Sequence, residues 1–315
     1  MTTRSLETAA PPRERVATPT VWSRIWQNDV PGYLFLLPWL IGFLGLTIGP
    51  MVTSLYLSFT DFDLLTSPDW VGANNYIRMF THDPKFWASM RVTMFFVAFS
   101  VPLKLAFALA VAMLLNRGIR GLPLYRALFY LPSLLGASVA IAILWRQIFA
   151  GDGLVNKLLA VFDIAGPSWI SNPKTSLWTL IILSIWQFGS PMIIFLAGLR
   201  QIPTDMYEAA SLDGASKWRQ FVKITLPLLT PVVFFNAIIQ TIEAFKSFTP
   251  AFIISGGTGN PINSTLFYTL YLYQEAFSFF RMGYASALAW VLLALVGMFT
   301  AVSFLSSKYW VHYDE

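Results

Sequence analysis

Asn236, Gln240, Glu243 and Ser247 interrupt a long apolar run in the last third of the chain. Steps of four, three and four residues put them on one face of a helix. Amides, a carboxylate and a hydroxyl in that order make a hydrogen-bonding stripe. A carboxylate inside a membrane-crossing helix is costly and usually faces a cavity or a partner. Glu243 therefore either meets solute or pairs internally, with Lys104 as the candidate partner. Lys104 itself reads as structural, and Lys246 is expected to snorkel toward the outer face. Catalytic chemistry has little to draw on. With no cysteine there is no disulfide, thiolate metal site or thiol nucleophile. The two histidines, His82 and His312, lie far apart in sequence. Neither catalytic nor metal-ligating residues are expected. The phosphate-cradling pattern G-x-x-x-x-G-K-[ST] does not occur, and Gly256-Gly257-Thr258-Gly259 lacks the Lys-Ser/Thr that would complete it.

The elements that carry these residues are membrane helices. The chain is 56% hydrophobic and only 12% charged, against roughly 25% charged for soluble domains. Six apolar runs, near 33–59, 92–115, 127–149, 175–199, 224–254 and 284–306, meet the roughly 20 residues that a span requires. The fold class expected is an all-α membrane protein with six transmembrane helices. Residues 1–20 are rich in Pro, Thr, Ala and Arg without apolar periodicity, which predicts disorder. The first apolar run is too long for a signal-peptide core, so it is expected to remain as an uncleaved span. The organisation expected is a disordered cytoplasmic tail over 1–30, a transmembrane domain over 31–308 and a cytoplasmic tail over 309–315.

Charge sets the orientation. Twelve Lys and Arg fall in the tails, the second loop and the fourth loop, and six fall in the other three loops. The positive-inside rule then puts both termini and the fourth loop in the cytoplasm. The net charge of +5 comes without a basic patch between aromatics, so nucleic acid is not expected as a partner. Proline and glycine recur within the spans, for example Pro38, Gly49, Pro50, Pro102, Pro132, Gly136, Gly189 and Pro191. They fit either close helix packing or kinks around a path.

The fourth loop carries the most specific pattern. It reads Tyr207-Glu208-Ala209-Ala210-Ser211-Leu212-Asp213-Gly214, followed by Ile224-Thr225-Leu226-Pro227. Asp205 and Glu208 suit the positive end of a short helix. Ala209 and Ala210 favour helix and let a partner surface approach closely. Gly214 permits a sharp turn into a second short helix expected over Ser216 to Val222. Leu226-Pro227 would then restart the membrane span.

This loop closely resembles the cytoplasmic EAA coupling loop, between spans four and five, of membrane subunits of ATP-driven, binding-protein-dependent importers. The likeness continues through Ala197-Gly198-Leu199-Arg200-Gln201-Ile202-Pro203, Gly256-Gly257, Ser264-Thr265, Tyr273-Gln274-Glu275-Ala276-Phe277 and Gly283-Tyr284-Ala285-Ser286-Ala287. It also takes in Tyr33 to Phe59, and it is nearest to the six-span partner in the maltose- and glycerol-phosphate-type sugar permease branch. One departure is Gly256-Gly257-Thr258, where the family pattern is Gly-Gly-Pro; here the proline is delayed to Pro261.

The resemblance implies a bacterial plasma (inner) membrane permease. It would work with a second homologous permease, two ATPase subunits and an extracytoplasmic solute-binding protein. No cofactor would be bound by this chain; ATP and Mg would be handled by the ATPase partner. Tyr207, Glu208, Ala209, Ala210, Asp213, Gly214, Leu226 and Pro227 would couple to that partner. Trp186, Gln187 and Ser190 would form the wall of the path opposite the Asn236–Ser247 stripe. The solute expected is a neutral mono- or oligosaccharide or a related polyol. Phosphorylated or acidic solutes are disfavoured by Glu243 unless Lys104 or Lys246 faces the cavity. An ion-gradient-driven secondary transporter using Glu243 is the alternative.

Overall fold

A computed structural model describes residues 30–118, 121–136 and 138–312. The tail expected to be disordered lies outside the described residues except for Val30, as do residues 313–315 of the C-terminal tail. The chain is built from helices, with one short antiparallel ribbon pairing Thr60 with Trp70 and Asp61 with Asp69. It divides into two compact units, Met1–Ser54 and Leu55–Glu315.

α1 (Val30–Phe43) passes through a wider π turn (Leu44–Ile48) into α2 (Gly49–Leu57). Pro50 explains the turn. Its ring cannot sit against the carbonyl four residues back and it has no N–H to donate. The ladder therefore slips by one residue, and the Gly49 N–H donates to the Leu44 carbonyl.

The second unit is organised around α4 (Pro84–Leu115), which follows the short α3 (Asn74–Thr81). α4 begins eight residues before the apolar run at 92. Asp83 caps it by accepting from the Lys85 and Phe86 N–H groups at 2.9 and 3.1 Å, and Pro84 supplies the fixed first-turn geometry. The expected third run is two helices, α5 (Leu122–Leu135) and α6 (Val139–Ile148), bent by 96°. After α7 (Leu154–Ala160), the fourth run is likewise α8 (Ser176–Trp186) and α9 (Gly189–Leu199), bent by 43°. Four helices among the described residues are long and apolar enough to cross a membrane, or six if each bent pair is one span.

The fifth run starts earlier than expected. α10 (Thr204–Leu212) is followed by α11 (Lys217–Gln220), a π turn (Phe221–Thr225) and α12 (Leu226–Phe245). α11 through α12 form one helical rod, so Leu226-Pro227 does not restart the helix. Pro227 again accompanies a one-residue slip, with the Leu226 N–H donating to the Phe221 carbonyl. Past a short turn, α13 (Thr249–Ser255) completes a span of 39 residues. Then come α14 (Tyr268–Tyr273) and α15 (Met282–Trp310), which runs beyond the expected boundary at 308.

Two apolar clusters hold the second unit. One gathers Phe86, Phe96, Leu180, Phe245, Tyr268 and Leu288. The other joins Ala108, Ala112, Met192, Phe195, Leu199 and Leu229. Only 28% of the most apolar stretch of α4 is buried inside the protein. Its remaining apolar surface is what a helix offers to lipid or to a neighbouring subunit.

The segments outside the spans are tied by polar contacts. Asn75 donates through Nδ2 to the carbonyls of Ser58 and Thr60, at 3.0 and 2.9 Å, which fixes the ribbon to α3. The Tyr271 and Tyr284 hydroxyls both donate to the Asp83 carboxylate, joining α14 and α15 to the start of α4. Burial, reinforced by the Asp83 bond, keeps the Tyr271 hydroxyl protonated far above the usual tyrosine range. The glycine-rich segment is seated too: Gln274 donates through Nε2 to the Gly257 carbonyl at 2.7 Å. With the proline delayed to Pro261, the segment turns at Gly256, Gly257 and Gly259, all with positive φ.

Candidate functional site

A cavity of about 210 Å³ opens between α4, the α8–α9 break and the end of α12. Its polar lining includes Lys104, Gln187, Gln240, Glu243, Lys246 and Ser247. Phe96, Val101, Leu180, Phe248 and Pro250 supply apolar wall.

The α8–α9 break positions Gln187. Pro191 lies four residues beyond it, so the Gln187 carbonyl loses the helical donor it would otherwise have. Ser133 repairs the gap from α5. Its hydroxyl donates to the Gln187 carbonyl at 2.9 Å and accepts from the Ser190 N–H at 2.9 Å. Exposed backbone at membrane depth needs such a repair. The Gln187 side chain then donates through Nε2 to the Gly136 carbonyl at 3.1 Å. A Cβ on Gly136 would fall 2.2 Å from Gln187 Cδ, so the approach requires glycine.

Of the stripe on the fifth run, Gln240, Glu243 and Ser247 reach the cavity, whereas Asn236 is absent from its lining. Asn236 is fully buried, and neither its Oδ1 nor its Nδ2 has a partner among the described residues. Of the expected opposite wall, Gln187 lines the cavity, whereas Trp186 and Ser190 do not. The Trp186 ring lies against Trp145 at 5.9 Å, and the Ser190 N–H is engaged by Ser133.

The lysines depart from expectation. Glu243 pairs with Lys246 at 3.2 Å, one helical turn away, rather than with Lys104. Lys246 also lines the cavity, its position three residues beyond Glu243 placing it on the same side. Lys104 lines the cavity from α4. A lysine within an apolar run is the sequence signal for such a position; what sequence could not give is the face of the helix on which it lies.

The Tyr207–Gly214 segment forms a compact knob. α10 opens with Asp205 in its first turn. It ends with two bonds that close the turn: Gly214 N–H to the Ser211 carbonyl at 3.1 Å, and Ala215 N–H to the Ala210 carbonyl at 2.9 Å. This Schellman-type end needs a left-handed residue, and Gly214 sits at φ +73°. Ser216 then caps α11, its Oγ accepting from the Arg219 N–H at 3.3 Å.

Two contacts not anticipated from sequence lock the knob to the rod. Buried Gln220 donates through Nε2 to Ser211 Oγ at 2.8 Å and to the Ala215 carbonyl at 3.2 Å. The Tyr207 and Thr225 hydroxyls share a bond of 2.9 Å. Glu208, Ala209, Asp213 and Leu226 are exposed, and Ala210 and Pro227 are half-buried. Leu212 and Trp218 project apolar surface, at 91% and 73% exposure, where a partner could cover it.

Apolar helices with broken spans, a small polar cavity and an exposed knob are what a membrane permease requires. The chain belongs to the family of binding-protein-dependent transport system inner membrane components, whose model matches residues 105–310. It is similar to a probable ABC transporter permease protein, YesP, of Bacillus subtilis (strain 168), with 54% identity over 292 residues, 92% of this chain and 94% of that protein. It is also similar to the lactose transport system permease protein LacF of Rhizobium radiobacter, with 32% identity over 286 residues, 89% of this chain and 95% of that one. In fold it matches a chain of a bacterial alginate ABC transporter solved in complex with an alginate pentasaccharide-bound periplasmic protein. That match has a TM-score of 0.78 at 20% identity and covers 92% of this chain and 98% of that one.

Proposed function

We propose that this chain is the six-span permease subunit of an ATP-binding-cassette importer that carries a mono- or oligosaccharide, or a related polyol, inward. It pairs with a second homologous permease, receives solute from an extracytoplasmic binding protein and is driven by two ATPase subunits that hydrolyse ATP with Mg. The termini and the Tyr207–Gly214 knob face the cytoplasm. The observation that carries the reading is the span from Lys217 to Ser255, whose helical rod is continuous to Phe245. One end is latched to the knob by Thr225 and Gln220, and the other brings Gln240, Glu243 and Ser247 to the cavity.

Amides and hydroxyls beside aromatic and aliphatic wall suit sugars, whose edges are polar and whose faces are C–H. The lactose permease relative supports the carbohydrate class. At about 210 Å³ the cavity is smaller than the ~300–1,000 Å³ of complete small-molecule sites. A companion permease completing the path accounts for that. The Glu243–Lys246 pair weighs against the ion-driven alternative, because the carboxylate already has a counter-charge.

The test is purification from the native membrane in mild detergent, followed by reconstitution. Co-purification with a second permease and ATPases, and ATP-dependent saccharide uptake that requires the binding protein, is the expected result. A lone chain that transports without them would refute the assembly. A binding protein that takes amino acids or peptides and no carbohydrate would overturn the sugar class alone.

A further inference from the structure

Three ionisable side chains line the cavity: Lys104, Glu243 and Lys246. Glu243 and Lys246 neutralise one another at 3.2 Å. Lys104 is half-buried on the facing helix α4 and has no salt-bridge partner among the described residues. Among the described residues the cavity lining thus carries one positive charge in excess, beside amides and hydroxyls able to bind a sugar's edge. An ammonium there is retained at a cost unless something pairs with it.

We propose that the transported solute is an anionic saccharide, a uronic-acid-bearing oligosaccharide whose carboxylate is met by Lys104 while Gln187, Gln240 and Ser247 take neighbouring hydroxyls. This rests on the importer reading above and replaces the expectation of a neutral sugar, which assumed that Glu243 stood alone in the path. A single carboxylate balances the single excess charge. A phosphate near its second ionisation would bring up to two negative charges toward Glu243 with no further cation to receive them. Lysine, a compact point charge on a flexible stem, suits a carboxylate presented in varied poses as the solute passes, whereas a rigid arginine fork would hold it in one.

The experiment uses the complete importer in liposomes, with its own companion permease, ATPases and binding protein. Uptake is compared for uronate-bearing di- and trisaccharides, the same sugars with each carboxylate reduced to a hydroxymethyl group, and glycerol 3-phosphate. The expected result is uptake of a uronate in preference to its reduced counterpart. Lys104→Gln should lower that preference about tenfold or more, and Lys104→Arg should keep most of it. Preference for the reduced sugar or for glycerol 3-phosphate in the wild-type importer overturns the proposal, and so does a preference that Lys104→Gln leaves unchanged. Uptake of reduced sugars alone leaves the saccharide reading standing, whereas uptake only of amino acids or peptides removes that reading as well. Because the wild-type comparison decides by itself, a variant that fails to assemble does not rescue the idea.

Discussion

Gly214 offers a test in which backbone conformation can be separated from contact. A Cβ built there meets nothing within 4 Å, so steric room is not the constraint. The constraint is φ +73°, where an L-residue pays roughly 1–2 kcal/mol and a β-branched one is a genuine outlier. If the strain exceeds what the turn returns, the chain leaves the left-handed region. It then loses the Gly214-to-Ser211 and Ala215-to-Ala210 bonds, each worth about 1 kcal/mol net. Gly214→Asn should therefore be nearly neutral, Gly214→Ala should cost about 1 kcal/mol, and Gly214→Val about 2–4 kcal/mol locally. The assay is ATP-driven uptake alongside ATPase stimulation by the loaded binding protein, in liposomes of equal protein content. Uptake per ATP should fall in the order Asn, Ala, Val, because a misplaced α10 no longer carries the push to the rod. Equal losses in all three would show that the position senses bulk against a partner. No loss with Val would mean that the knob is not the coupling element.

Gly136→Ala should displace the Gln187 side chain, since the new Cβ would lie 2.2–2.6 Å from its Cδ, Cγ and Nε2. Overpacking of this kind costs about 1–3 kcal/mol; a raised KM for solute with normal membrane insertion is expected, and an unchanged KM would remove Gln187 from the path. Ser133→Ala should cost about 2 kcal/mol by leaving the Gln187 carbonyl and the Ser190 N–H unpaired; thermal unfolding in detergent checks it, with Ser133→Thr expected to restore the bonds. Glu208→Ala, at an exposed position, should weaken ATPase association by about 1 kcal/mol or less, and assembly titration that shows a complete loss would make Glu208 a buried anchor instead.

Much of this was legible in the sequence because it follows from spacing. Gln240 and Glu243 share a helical face that brings them to one cavity, and Ser247 joins them from the turn just past the end of α12. Asn236 leaves that group because it sits one turn further along, buried beside neighbours of the second apolar cluster. The start of α4 was also readable, since Asp83-Pro84 is a helix-start signal. The apolar-run reading passed over it because Lys85 and Arg91 dilute the hydrophobicity of the first two turns. The slipped turns at Leu44–Ile48 and Phe221–Thr225 were not readable in the same way. A proline can end a helix or be absorbed by it, and the outcome depends on whether the flanking ladder can shift by one bond. The Glu243–Lys246 pair was unreadable for a related reason: depth along a span follows from counting residues, but the direction a side chain faces depends on the neighbours it packs against.

The absorbed proline at 227 matters for the proposed mechanism. Had the helix broken at Leu226-Pro227, the knob and the cavity would sit on separate elements joined by a flexible point. Instead, the Phe221–Thr225 turn keeps the ladder connected, and Thr225 and Gln240 lie on one rod. At 1.5 Å per residue the separation is roughly 22 Å. A tilt of the knob under load from an ATPase would therefore reach Gln240 and Glu243 as a rigid displacement. The opposite wall is different: Gln187 sits at a break where Ser133 and Gly136 engage it. In the proposed mechanism the rod would move as one piece and the broken wall would yield, and relative movement of the two would open or close the space between them. On this view the costly kink at Pro191 and the unbroken rod through Pro227 are complementary features, and straightening the first should impair transport as surely as breaking the second.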